Sequence, residues 1–309
     1  MSDWDGRGLP PAAEARLRRA ESGGPGSSLL KISGQAALEG CGFSVVGEAM
    51  GCIVHHIGWQ GFGGCGYYGA GGFGQAGLLG GLGSYGPGPV TSGRSAGYVG
   101  FGAYAEAMYH GYDTAILRML YECKALGADG VVGARLQVTY LGEGNREFLA
   151  YGTAVKAHSK SRPANLFSTE LQGHDVAKLL HGGWVPVSIC VGISVAVRHD
   201  DWVTLNQAST WSGNTEVRGY TDLVNHVRAD ARHQFQRRCA AYGGDGAVMS
   251  SMSLDVWEQE VAENHRDHVA LSAVTGTTIA RFHKEEHAIT STLSILPMRD
   301  TPVPTGRKT

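Results

Sequence analysis

The chain has 309 residues, a formal net charge of −2 and only 17% charged residues. That length allows two domains of ordinary size. The near-neutral balance, with no basic stripe, excludes nucleic acid as the expected partner. No basic start leads into an apolar run, so no signal peptide is expected. No long apolar run lacks glycine, so no membrane-spanning helix is expected either. The six cysteines show no C-x-x-C pairing, which fits reduced thiols and a cytoplasmic location.

Residues 1–28 read as a flexible arm. Pro10-Pro11 can open a short helix over 12–21, because proline suits the first helical turn, and the Gly-Ser-rich stretch after it breaks that helix. Residues 43–57, rich in β-branched side chains, read as a first strand. From 58 to 102 the chain turns glycine- and aromatic-rich, with no charge between His56 and Arg94. Glycine at this density costs too much backbone entropy for an ordinary helix, so the segment reads as an insertion. Residues 103–126 then carry Met108, Tyr112, Ile116, Met119, Cys123 and Leu126 at helical spacing, and Gly127 stops the helix. Two strands follow, over 131–138 and 148–155, joined by the turn chemistry of Gly142-Glu143-Gly144.

A linker is expected at 159–163, and after it the plan repeats. Residues 184–197 form a strand, 220–242 a helix, and 247–257 with 268–280 a hairpin with a longer turn. The two passes share a signature. Cys123, Gly127, Asp129-Gly130 and Val132 match Cys239, Gly243, Asp245-Gly246 and Val248. The expected fold is α+β, with two tandem units over 29–158 and 164–296. Each unit is a small antiparallel sheet against one long helix. A loose tail follows from 297 to 309.

The stretch Ala125-Leu126-Gly127-Ala128-Asp129-Gly130-Val131-Val132-Gly133 resembles the YbjQ-like family, whose members are described as heavy-metal-binding. So do Gly47-Glu48-Ala49, Arg94-Ser95 and Gly152-Thr153-Ala154-Val155. The resemblance covers most of 37–157. It implies a dodecin-like unit that assembles in rings of five. The second copy departs from the pattern, with Ser188-Ile189-Cys190 and Gly213-Asn214-Thr215 in place of the first and second short motifs. Any ligand site is therefore expected in the first copy.

Glu48, Arg94 and Asp129 are the candidate ligand-binding residues. Glu48 sits mid-strand in apolar company, where an unpaired charge is costly, and Arg94 is its candidate partner. For Asp129 the plain alternative is a turn carboxylate that accepts backbone N–H groups. Cys52, His55, His56 and Cys65 are the candidate metal ligands, since thiolate and imidazole suit zinc or copper. Yet Cys52 and His56 lie about 13 Å apart on an extended strand, and His55 points to the other face. Cys123 and Cys239 read as core packing.

No catalytic motif appears, so an enzyme is not expected. The leading expectation is a ring-forming, non-enzymatic cytoplasmic binding or scaffold protein. Five chains would stack two rings, with each copy meeting its own kind. The alternatives are a soft-metal binder, holding zinc or copper as its only cofactor, and a ring that docks on a membrane or a protein through 58–102.

Overall fold

The computed structural model describes residues 4, 8–22, 27–57, 90–91, 102–160, 162–199, 202–209, 211, 213–262 and 265–282. The first half contains α1 (Pro11–Glu21), α2 (Ile32–Gly40), β1 (Phe43–His56), β2 (Val90–Thr91), α3 (Gly102–Ala125), β3 (Gly130–Gly142) and β4 (Asn145–Ala157). The second contains β5 (Phe167–Ser168), α4 (Gly173–His181), β6 (Trp184–His199), α5 (Trp202–Gln207), α6 (Arg218–Ala241), β7 (Gly246–Ala262) and β8 (His265–Arg281). A short helix, a strand, a long helix and a hairpin thus occur twice in the same order. None of these helices is long and apolar enough to cross a membrane.

The strands form two four-stranded sheets, ordered β1-β4-β3-β5 and β2-β6-β8-β7. All pairings are antiparallel except β3 with β5. The long helices stop where the sequence places glycine. Gly127 and Gly243 take φ of 69° and 74°, a left-handed conformation that side chains resist. Each helix also presses on its first strand at a glycine. A Cβ on Gly51 would lie 2.2 Å from the Ala115 carbonyl, and one on Gly192 would lie 2.3 Å from the Phe235 nitrogen. Only a residue without a side chain allows helix and strand to approach this closely.

Several elements differ from the sequence reading. The longer second hairpin turn is replaced by longer strands, which pair as far as Ala262 with His265. Helices α2 and α4 were not expected. They pack on each other at Gly34 and Gly173, over the Leu38, Val132, Val155 and Val176 cluster. Of the glycine-rich segment, all but 90–91 and the start of α3 lie outside the described residues. Val90 and Thr91 pair with Val197 and Ala196, so a piece of that segment joins the second sheet.

The two halves share one core. Tyr104, Met108 and Tyr112 of α3 and Phe148 of β4 cluster with Ile189, Ile193, Val197, Val269 and Leu271 of the second sheet. The opposite face of that sheet packs on α6 through Cys190, Val274, Ala231, Phe235 and Cys239. The halves meet each other, because α3 carries a second apolar face that α6 lacks. Positions taken by Met108, Tyr112 and Ile116 on α3 correspond to Val224, Arg228 and Arg232 on α6.

Candidate functional site at two strand edges

An edge strand offers unpaired N–H and C=O groups, and proteins cover them. The outer edge of β6 is covered by α3 and β2 of the first half and by β5. The Tyr109 hydroxyl accepts from the Ile193 N–H at 2.8 Å and donates to the Ile193 carbonyl at 3.2 Å. The Ser168 hydroxyl accepts from the Ile189 N–H at 3.1 Å. Arg238 of α6 holds both Asp113 carboxylate oxygens at 2.7 and 2.8 Å and lies 4.4 Å above the Tyr109 ring. Thr169 pairs with Thr277 at 2.9 Å, and Thr275 donates to Glu170 at 3.0 Å. Burial raises the Glu170 pKa, because the charged carboxylate loses water there.

The matching edge in the first half is β1. In the register that sets Gly51 against Gly192, Glu48, Met50 and Cys52 stand opposite Ile189, Val191 and Ile193. Here the Met50 N–H donates to Glu122 at 3.0 Å, and Arg118 donates to the Cys52 carbonyl at 2.6 Å. Glu122 is only 1% exposed. Its charge is met by Arg16 of α1, whose Nε and Nη2 donate to the two carboxylate oxygens at 2.8 and 2.7 Å. That bond raises the Arg16 pKa, against the cost of burial. Trp4 lies under Arg118, with its ring centre 4.8 Å from the guanidinium carbon. Trp4 and α1, in the segment read as a flexible arm, are thus pinned to α3 beside β1. A cavity of about 270 Å³ opens beside it, lined by Arg16, Leu29, Glu48, Met50, Gln137 and Tyr151.

The sequence candidates separate. Glu48 lines this cavity, and its charge adds to the raised Arg16 pKa. Arg94, its expected partner, lies outside the described residues. Asp129 is buried elsewhere. It accepts from the Ala157 N–H at 2.8 Å and from Arg162 at 2.9 Å. It also faces a cavity of about 600 Å³ walled by Phe43, Phe167, Leu180 and Val187. Asp245 repeats the first contact, accepting from the Arg281 N–H at 2.9 Å. Both carboxylates fasten the end of a hairpin to the turn after a long helix.

The metal candidates do not converge. His55 stacks beside His110 with ring centres 5.3 Å apart, while His56 meets Asn145 at 3.1 Å. Burial and the neighbouring His110 lower the His55 pKa. Cys52 lies on the other side of the strand from His55, and Cys65 lies outside the described residues. No group of three or more His, Cys, Asp or Glu able to hold a metal occurs among the described residues. Cys123 is fully buried, which pushes its thiol up to about 12. The hydrogen bond with Cys239, together with burial, raises Cys190 as well. These thiols pack in cores.

Glu122, Arg16, Tyr109 and Arg238 escaped the sequence reading. One signal was available. The register that matches Cys123 to Cys239 sets Glu122 against Arg238, so opposite charges occupy one position beside the apolar helix face.

The YbjQ family model, described as "Putative heavy-metal-binding", matches residues 95–158. An encapsulin nanocompartment protein of Mycobacterium tuberculosis is 35% identical over 250 residues, covering 78% of this chain and 81% of that protein. A UPF0145 protein of Psychrobacter arcticus is 46% identical over 55 residues, 18% of this chain and 35% of the relative. Another from Halorubrum lacusprofundi is 45% identical over 53 residues, 17% of this chain and 51% of the relative. The chain spans about half or less of these two shorter matches.

The long match overturns the expected ring-forming binding or scaffold protein of unspecified role. That expectation leaned on single-unit likeness, and a match of some 50 residues says nothing of the second half. An alignment of 250 residues cannot fit in either half alone, so it must draw on both. On the family match, the motif run through the α3 stop and the full-length relationship, the chain belongs to the YbjQ-like family.

Proposed function

We propose that this chain is a structural constituent of an encapsulin nanocompartment, built from two tandem YbjQ-like units over 29–158 and 164–296. The carrying observation is the 35% identity to an encapsulin nanocompartment protein across 78% of this chain. The duplicated element order supports the tandem reading, as do the paired glycines Gly51 and Gly192 and the paired hairpin fasteners Asp129 and Asp245. A shared core between the halves suits a load-bearing part, because the chain behaves as one body. Self-association and a cytoplasmic location belong to the same proposal.

The test is sedimentation of a lysate from the native host, with the untagged chain followed by antibody. The chain is expected in the fast fraction with intact nanocompartments, and in that fraction again after a second gradient. Recovery only among free proteins near its own 32.6 kDa would overturn the reading.

A further inference from the structure

The two edge strands are handled differently, and the difference points to a docking surface. On β6, beyond the two residues that pair with β2, the cover is a long helix: α3 brings Tyr109 to the edge and Asp113 to Arg238. Beside β1 the arriving helix is α1, a short helix that brings Arg16 to Glu122 of α3 and into the cavity lined by Glu48 and Met50. Glu122 and Arg238 are equivalent positions. Each edge thus receives a helix whose charge is opposite to that of the long-helix residue beside the edge.

The internal junction is head to tail: the helix face of the first half meets the strand edge of the second. Such an interface leaves one helix face and one strand edge over. The leftover edge is β1, which carries Glu48 and lies against Glu122 of α3. The leftover face is on α6, where Asn225, Arg228, Ala229 and Arg232 stand at the positions of Tyr109, Tyr112, Asp113 and Ile116. Arg228 and Arg232 are exposed. At the junction Asp113 of the arriving helix meets Arg238, which stands on α6 beside the β6 edge; on the leftover surfaces α6 offers Arg228 and Arg232, while Glu48 and Glu122 lie at the β1 edge. This exchange of signs lets α6 fit β1 and sets β6 apart for α3.

We infer that β1 is the docking edge for α6 of a second copy, and that α1 is a displaceable internal occupant of that edge. Arg16 stands in for Arg228 or Arg232 of the incoming helix. A bidentate guanidinium–carboxylate pair is strong and directional, so α1 competes effectively while it is tethered. The inference rests on this chain's own geometry, so it can fail without the nanocompartment reading failing, and the reverse.

The test uses the purified full chain and analytical ultracentrifugation over a concentration series. Arg16→Glu sets like charges together and releases α1. It is expected to strengthen self-association at least tenfold over wild type. Adding Arg228→Glu and Arg232→Glu is expected to return association to the wild-type level or below. Arg16→Ala, with a circular dichroism melt confirming the fold, serves if the reversed charge harms folding, and the same direction is expected. Association unchanged in a folded Arg16 variant would overturn the inference. So would strengthened association that ignores the two α6 reversals.

Discussion

Arg16 and Glu122 lie 106 positions apart in sequence, yet they meet through two bonds of 2.8 and 2.7 Å at the edge of β1. Glu122 is almost wholly buried, and its remaining contact is the Met50 N–H. Arg16→Ala is therefore expected to cost ~2 kcal/mol in urea unfolding, the scale for hydrogen bonds to a charged group. Arg18 is the control. It is exposed and, among the described residues, pairs with Glu14 one turn away, so Arg18→Ala is expected to cost no more than ~0.5 kcal/mol. Equal effects of the two changes would mean that α1 is not pinned through Arg16.

Asp129 and Asp245 do one shared task under different burial. Each accepts the N–H at the end of its hairpin, but Asp129 is buried and also holds Arg162, while Asp245 is exposed. Asp129→Asn is expected to cost ~2 kcal/mol and Asp245→Asn under ~1 kcal/mol, because water repairs the exposed loss. Chemical denaturation of the two variants side by side checks the order. The reverse order would refute the shared fastening role.

Gly51 and Gly192 set the spacing between helix and strand. A methyl group at either site runs into backbone at 2.2 or 2.3 Å, which cannot rotate away. Gly51→Ala and Gly192→Ala should each lower stability by roughly 1–3 kcal/mol, as overpacking does. Gly47→Ala, where nothing lies within 4 Å, should be close to neutral. Thermal melts of the three variants measure this directly.

Much of the frame was legible because it is written locally. The apolar spacing from Met108 to Cys123, the glycine stop and the Asp-Gly that follows act within a few residues. They place α3 to within a residue at each end, while β3 and β4 run up to four residues beyond the expected bounds. Helices α2 and α4 were missed because their N-caps, Lys31 and Gln172, make no side-chain cap bond. They are held instead by packing on each other and on the sheet. The candidate site was legible only in Glu48 and in the fastening role of Asp129. Glu122 sits at the flank of the apolar face, where a carboxylate reads as solvated. Its partner comes from a polar segment whose composition carries no sign of docking. Contacts between distant segments of this kind leave no local pattern.

The last prediction concerns pH. Glu170 lies in the junction, where it accepts from Thr275, and burial raises its pKa above the ordinary carboxylate value of 4.5. A carboxylate raised in the folded state binds its proton more tightly there than in the unfolded chain. Its contribution is fully favourable below the unfolded value and is lost as pH rises through the folded value. At neutral pH the folded protein therefore carries a buried charge at a cost. Glu170→Gln keeps an acceptor for Thr275 and removes that charge. The variant is expected to melt higher than wild type at pH 7.5, with the gap closing as pH falls towards 4. Melting temperatures of both proteins across that range decide the matter. A gap that widens on acidification would show that the Glu170 charge is stabilising, and would assign it a cationic partner such as Arg146, which lines the same cavity.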